Sequence, residues 1–410
     1  MRTPTRLFIP GAVTLLAGAL LVPACSPDQV EGARAGDDTV FQSEHHAYRL
    51  TTVVDGLQHA WGLAFLPNGD MLVTERGERT PDGQAGRMRI VRDGQLLPDP
   101  VPGLPTIRVG GQGGLLDVVL HPEFESNRLV YFTYSKPNDD DSLGTTAVAR
   151  GRFEGDALQD VEDILVAEAW VEGRGHHGSR LAFDRDGYLF VTVGDRQVRP
   201  VGDLAAHPAQ DPTNHIGTTL RIHDDGRVPS DNPFVGHAEI LPEIWTWGHR
   251  NAQGMAIHPE TNEVWQNEHG PQGGDELNLI KPGLNYGWPV VGFGVNYGPG
   301  TPIHEAVRME GMEDPVHHWT PSIATSGLMI YMGDAFPRWQ GDLFTGGLAG
   351  QQLSRVRVVE GRAVTVETLV PEQGRIRDVR EGPDGLIYLV VEDRAGDLAP
   401  ILRMEPADQD

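Results

Sequence analysis

One pattern recurs six times along the 410-residue chain: a short apolar strand, a turn built on Pro, Gly or Asp, and a second strand of β-forming residues. The copies occupy residues 62–74, 117–134, 181–192, 255–267, 328–345 and 379–390. Each is a hairpin signature, because its turn residues either fix φ or tolerate positive values between runs that alternate or are continuously apolar. Six hairpins imply six blades, and the repeat starts lie 51 to 74 residues apart. That exceeds what four strands need and leaves room for long functional loops on one face. The sequence therefore predicts an all-β chain, a six-bladed β-propeller of four-stranded antiparallel blades. A strand outside the copies, 48–54, is expected to complete the last blade beside 401–404 and so remove the free sheet edges. No helical periodicity persists after the N-terminal segment, so Rossmann and TIM-barrel folds have nothing to build with; a two-sheet sandwich is the structural alternative.

Charge narrows the partners. With 33 basic and 58 acidic side chains the net charge is −25, which repels a phosphate backbone and argues against nucleic acid. Only Lys136 and Lys281 are lysines, so any buried basic site must be built from guanidinium, which suits bidentate contacts with carboxylates.

Residues 1–25 carry Arg2 and Arg6, an apolar run broken by Pro10 and Gly11, and small residues before Cys25: a secretory signal rather than a membrane span. Val22, Pro23, Ala24 and Cys25 resemble a bacterial lipoprotein box, and the alternative is an ordinary signal cut near Ala24. The expectation is an exported protein, periplasmic or at the cell surface, whose membrane contact is a lipid on Cys25. A single cysteine allows no intrachain disulfide. Residues 26–44 read as a flexible tether, and 45–406 as one propeller domain.

Several polar clusters lead the repeats. The run 173–178 matches G-x-G-x-x-G, but a strand follows it instead of a helix, so the dinucleotide reading lacks its mechanism. Gln112 stands alone among Gly110, Gly111, Gly113 and Gly114, where backbone can approach a ligand. His176 and His177 precede Arg180 and offer an imidazole near a guanidinium. Trp247, His249, Arg250, Asn251 and Gln253 crowd the segment before the fourth repeat. Residues 268–276 join carboxylates to a Gly/Pro backbone whose carbonyls could ligate a hard cation such as Ca2+. Arg375 and Arg377, at i and i+2, share one face of a strand and point to an anionic ligand.

Taken together, in this order, these motifs resemble the soluble PQQ-dependent aldose sugar dehydrogenases of the glucose/sorbosone dehydrogenase family, from Leu57 to Leu402. The most specific stretches are 111–118, 178–184, 248–251, 270–280, Asn285 through Pro289, and 375–378. The resemblance implies a six-bladed propeller that oxidises the C1 hydroxyl of aldoses to lactones, with PQQ and Ca2+ as cofactors, and passes electrons to an external acceptor. It makes His176 the general base and Asp195 its orienting carboxylate. Gln112 would contact sugar or quinone, and Arg250 and Asn251 the quinone side of the cofactor, where the Arg250 guanidinium would also act in catalysis by stabilising charge that develops on a reduced carbonyl oxygen. Arg375 and Arg377 would clamp its carboxylates. Carbonyls of His269 and Gly270, or of Pro271, would hold the catalytic Ca2+; Glu276 and the carbonyl of Tyr286 would hold a structural one. Trp319 is the candidate aromatic wall for the sugar.

The chain also departs from the family pattern. Ala349 stands where some members place a PQQ-binding lysine, Thr325 where Pro is usual, and His177 where an apolar aromatic is common. Gly175 replaces the acid of glucose-specialised relatives, which favours the broad-specificity aldose branch. Two other functions use the same fold: a calcium-dependent propeller lactonase, active without PQQ, and a cell-surface binding propeller without catalysis.

Overall fold

The computed structural model describes residues 39–78 and 85–407. The signal segment, Cys25 and residues 26–38 of the expected tether lie outside the described residues. The strands form six antiparallel sheets, five of four strands and one of five, with four-residue Phe124–Asn127 as the α-helix among the described residues. Each repeat is the inner hairpin of a blade. The innermost strands are Ala60–Phe65, Leu115–Leu120, Leu181–Phe183, Ala252–Ile257, Thr325–Ile330 and Arg375–Glu381, and each touches the next until the sixth meets the first.

Closure follows the expected route. Ala47–Gln58 pairs antiparallel with Leu398–Pro406 and becomes the outer strand of the sixth blade. Val40–Gln42, three residues of the stretch read as a tether, adds a fifth strand by pairing with Ala47–Arg49. Tyr48 anchors this seam: its buried ring stacks on Phe41 at 5.3 Å, and its hydroxyl accepts from the Val370 N–H at 3.0 Å.

Apolar side chains fill the space between neighbouring blades. Tyr131 and Val148 of the second blade, for example, pack against Leu181, Val191 and Leu220 of the third. The centre of the ring is ionic. Arg180 reaches both Asp117 and Asp378 at 3.0 Å, Arg380 reaches both at 2.9 Å, and the Arg180 guanidinium lies 4.4 Å from the Trp61 ring centroid. Charges this deeply buried persist only because each has a partner of opposite sign.

The pairing slips in five inner hairpins, between Ala60 and Gly62, Leu115 and Val118, Ala252 and Gly254, Thr325 and Leu328, and Ile376 and Asp378. Such bulges re-aim side chains at the start of a strand. Inner strands begin, and the strands paired to them end, on the same face of the ring, so this face collects the residues that lead the repeats.

Candidate active site

Two cavities open on that face and share Gln112, His269 and Tyr297. The first, about 380 Å³, is lined by His176, Asp195, Arg250, Pro271 and Trp288 among others, a size suited to a small polar ligand. The second, about 520 Å³, holds Arg76, Arg375, Arg377 and Arg394 around one carboxylate, Glu392.

His176 precedes the inner strand of the third blade, and Asp195 follows its partner strand Leu189–Val193. The two meet with His176 Nδ1 2.6 Å from Asp195 Oδ1. Gly194 permits the approach, since a Cβ there would lie 2.3 Å from the His176 carbonyl oxygen. Trp288 Nε1 donates to the other carboxylate oxygen at 2.8 Å, and the Gln197 N–H to Oδ1 at 2.9 Å, so Asp195 cannot rotate away. The His176 N–H donates to Gln112 Oε1 at 2.8 Å. His176, Arg196 and Gln197 all have φ between 45° and 60°, a left-handed conformation that costs non-glycine residues energy and gathers at functional sites.

Burial, more than the nearby Arg250, holds the His176 imidazole below its ordinary pKa, while the Asp195 charge pulls the other way. Burial alone would raise the Asp195 carboxyl; the facing His176 ring and Arg250 keep it below the usual range. The pair is therefore a neutral imidazole backed by a carboxylate at neutral pH, with Nε2 left to accept a proton.

Arg250 is placed by its own backbone: its N–H donates to Glu268 Oε2 at 2.5 Å, and Glu268 Oε1 faces His249 Nδ1 at 2.9 Å. Its guanidinium lies 5.1 Å from the Trp288 ring centroid, and Nη1 donates to the carbonyls of His269 and Gly270 at 3.0 and 2.7 Å. Those two carbonyls, expected to ligate Ca2+, thus converge on a positive charge. The His269 ring is buried, with Nε2 lacking a partner, and burial followed by Arg250 pushes its pKa far down.

A further small space is lined by Glu268, Gly270, Pro271, Glu276 and Tyr286 among others, so the other expected metal residues meet there. Burial and then the neighbouring Glu268 push the Glu276 carboxyl well up. Asn278 Nδ2 bridges the two carboxyls at 3.1 and 3.2 Å, and its Oδ1 is buried without a donor. Paired carboxyls beside an orphaned acceptor oxygen are donors that a hard cation satisfies. Among the described residues no group of three or more His, Cys, Asp or Glu side chains is arranged for a metal, so either cation would rely on carbonyls as well.

Several expected residues sit elsewhere. Trp319, the expected aromatic wall, packs in the core against Trp265, Leu277 and Ile323, because its strand pairs inside the fourth blade. Trp288 and Tyr297 line the cavities in its place. Asn251 lies behind the cavity wall, where its Oδ1 accepts the Gly178 N–H at 3.1 Å and its Nδ2 has no partner. His177 points into the core near Ser135 and Thr146, and burial drives its pKa far down. Thr325 is fully buried at a strand start. Ala349 lies just past the strand Leu343–Gly347, not within it. Arg375 and Arg377 do line one cavity, although a bulge separates their pairing and Glu392 already engages Arg377 at 2.5 Å.

Trp288, Glu392, Arg76 and Tyr297 were not assigned from sequence. Trp288 lies inside the family-like run from Asn285 to Pro289, so its ring is visible in the sequence. Glu392 ends one second strand and Arg76 directly follows another, positions whose meaning depends on knowing which blade end carries the site.

The sequence model of the glucose/sorbosone dehydrogenase family matches residues 57–400. Aldose sugar dehydrogenase YliI of Escherichia coli K12 is 41% identical, over 85% of this chain and 91% of that protein. Quinoprotein glucose dehydrogenase B of Acinetobacter calcoaceticus is 28% identical over 70% of this chain and 74% of its own length. The crystal structure of the soluble aldose sugar dehydrogenase from Escherichia coli in its apo form superposes with a TM-score of 0.80 at 37% identity, covering 88% of this chain and all of that one (100%). The PQQ-bound aldose sugar dehydrogenase of Streptomyces coelicolor gives 0.70 at 28% identity, covering 88% and 98%.

Proposed function

The chain belongs to the glucose/sorbosone dehydrogenase family and is an oxidoreductase acting on sugars, and on that premise we propose that it oxidises the C1 hydroxyl of aldoses to lactones with His176 as base. The observation that carries this reading is the His176–Asp195 pair on the wall of one cavity, next to a second cavity lined by guanidiniums.

The sugar would lie in the first cavity with its anomeric hydroxyl toward His176 Nε2. Asp195 holds the Nδ1 proton, which fixes the tautomer and stabilises the imidazolium once Nε2 has taken the hydroxyl proton. Trp288 and the Gln197 N–H keep the carboxylate in place during that change of charge. Arg250, stacked on Trp288, presents a cation on the same wall, where it can stabilise negative charge developing on a neighbouring oxygen.

The second cavity fits PQQ, a planar tricarboxylate, by charge: its guanidiniums outnumber its carboxylate, with Arg375 and Arg377 as the expected clamps. Bound there, PQQ would supply the two-electron acceptor. For Ca2+ to be held by the carbonyls of His269 and Gly270, the Arg250 Nη1 that now donates to both would have to move off them, and the ion would then supply a Lewis acid; a second ion at Glu276 and Tyr286 would stiffen the loop. Release of electrons to an external acceptor, and export of the mature domain with a lipid on Cys25, belong to the same reading.

Dye reduction by the purified domain with a panel of aldoses tests it. Turnover that requires both added PQQ and Ca2+ is the expected result. Turnover without PQQ would return the case to a lactonase or another chemistry.

A further inference from the structure

The anion seat has more positive charge than the two expected clamps provide. Four guanidiniums, those of Arg76, Arg375, Arg377 and Arg394, line the second cavity with one carboxylate, Glu392. Glu392 offsets one of the four, so three positive charges remain in a chain whose net charge is −25. The next carboxylate, Glu78, is directed at His59, 3.8 Å away.

Arg76 is the member for which the structure shows the most preparation. Its backbone is fixed on both sides: the N–H donates to the His59 carbonyl at 3.0 Å, and its carbonyl accepts from Leu115 N–H at 3.1 Å. The loop carrying Gln112 lies so close that a Cβ on Gly114 would overlap the Arg76 carbonyl oxygen. One end of the guanidinium rests on Glu392 Oε1 at 3.2 Å and the other on the Gly111 carbonyl, while Nε is buried without a partner. The other Glu392 oxygen takes Arg377 at 3.0 and 2.5 Å, and Arg375 lies 3.9 Å away, with its own Nε also unpartnered. A buried guanidinium that shares a single carboxylate with two others is short of negative charge.

We infer that Arg76, oriented by Glu392, is a third guanidinium that binds a carboxylate of the cofactor, and that it supplies the cation absent at Ala349. With Arg394 at the rim, the seat carries three net positive charges for a ligand with three carboxylates. Ala349 itself follows Leu348, which lines the same cavity and accepts from Arg375 Nη1 at 3.1 Å, so the lysine's position adjoins the wall of the space that Arg76 lines.

This inference rests on PQQ being the ligand, and the test separates the two claims. The apo protein is titrated with PQQ, and binding is read from quenching of tryptophan fluorescence, Trp61 being part of the cavity wall. Arg76→Gln is expected to raise Kd at least tenfold and Arg76→Lys to recover part of that loss. An unchanged Kd for Arg76→Gln in a protein that melts like wild type overturns the inference alone. If Arg76→Gln does not fold, Ala349→Lys decides: a Kd within threefold of wild type supports the inference, and a larger gain in affinity, showing the lysine's place to be vacant, overturns it. Wild type that binds no PQQ removes the proposed function and the inference together.

Discussion

At the scale of single residues, the pair that carries the proposed chemistry is His176 and Asp195, with Nδ1 and Oδ1 2.6 Å apart. Trp288, 93 residues from Asp195, holds the second carboxylate oxygen from the neighbouring fourth blade. The sign of the pH effect follows from burial. The folded pKa of His176 lies below 6.5, so its neutral form, the base, persists until the pH falls under that value, and kcat/KM should decline on the acid side there and not above it. Asp195→Asn removes the charge that pulls this pKa up. The variant should lose about 10²–10⁴ in kcat, and its acid limb should move to lower pH. An acid limb that moves upward would contradict the assigned pairing.

At the scale of elements, hairpins were legible because their signal is local: two strands and the turn between them. The short strand His317–Trp319 was not, and Trp319 was accordingly misassigned to the cavity when it completes a blade edge in the core. The carboxylates and glycines of segment 268–276 mark it in the sequence as a cation loop. The structure adds what sequence lacked, that Glu276 is buried against Glu268 and that Asn278 Oδ1 points at no donor. A cation bound to the folded form alone stabilises by mass action, about 2.7 kcal/mol at a hundred times its Kd. Adding Ca2+ to chelator-treated protein should therefore raise the melting temperature, and Glu276→Gln should blunt the rise. Equal melting curves with and without Ca2+ would remove the structural ion from the account.

At the scale of the whole molecule, the propeller sets charges that composition hides. A chain of net charge −25 concentrates guanidiniums in one cavity, because each second strand ends on the face where the inner strands begin. The repeats predict this architecture, and the closure expected from 48–54 beside 401–404, strands outside the repeats, lies within the seam between Ala47–Gln58 and Leu398–Pro406, since a sheet edge left open would have no partner. Which face would carry the site was not legible, as that depends on six separate strand ends meeting around one axis. The central claim is that this ring oxidises sugar through His176. It is tested most directly by single-turnover reduction of bound PQQ by an aldose, comparing wild type with His176→Asn at equal PQQ occupancy. The account predicts that PQQ binding survives while the reduction rate falls by at least about a hundredfold. Reduction by His176→Asn at the wild-type rate would contradict it.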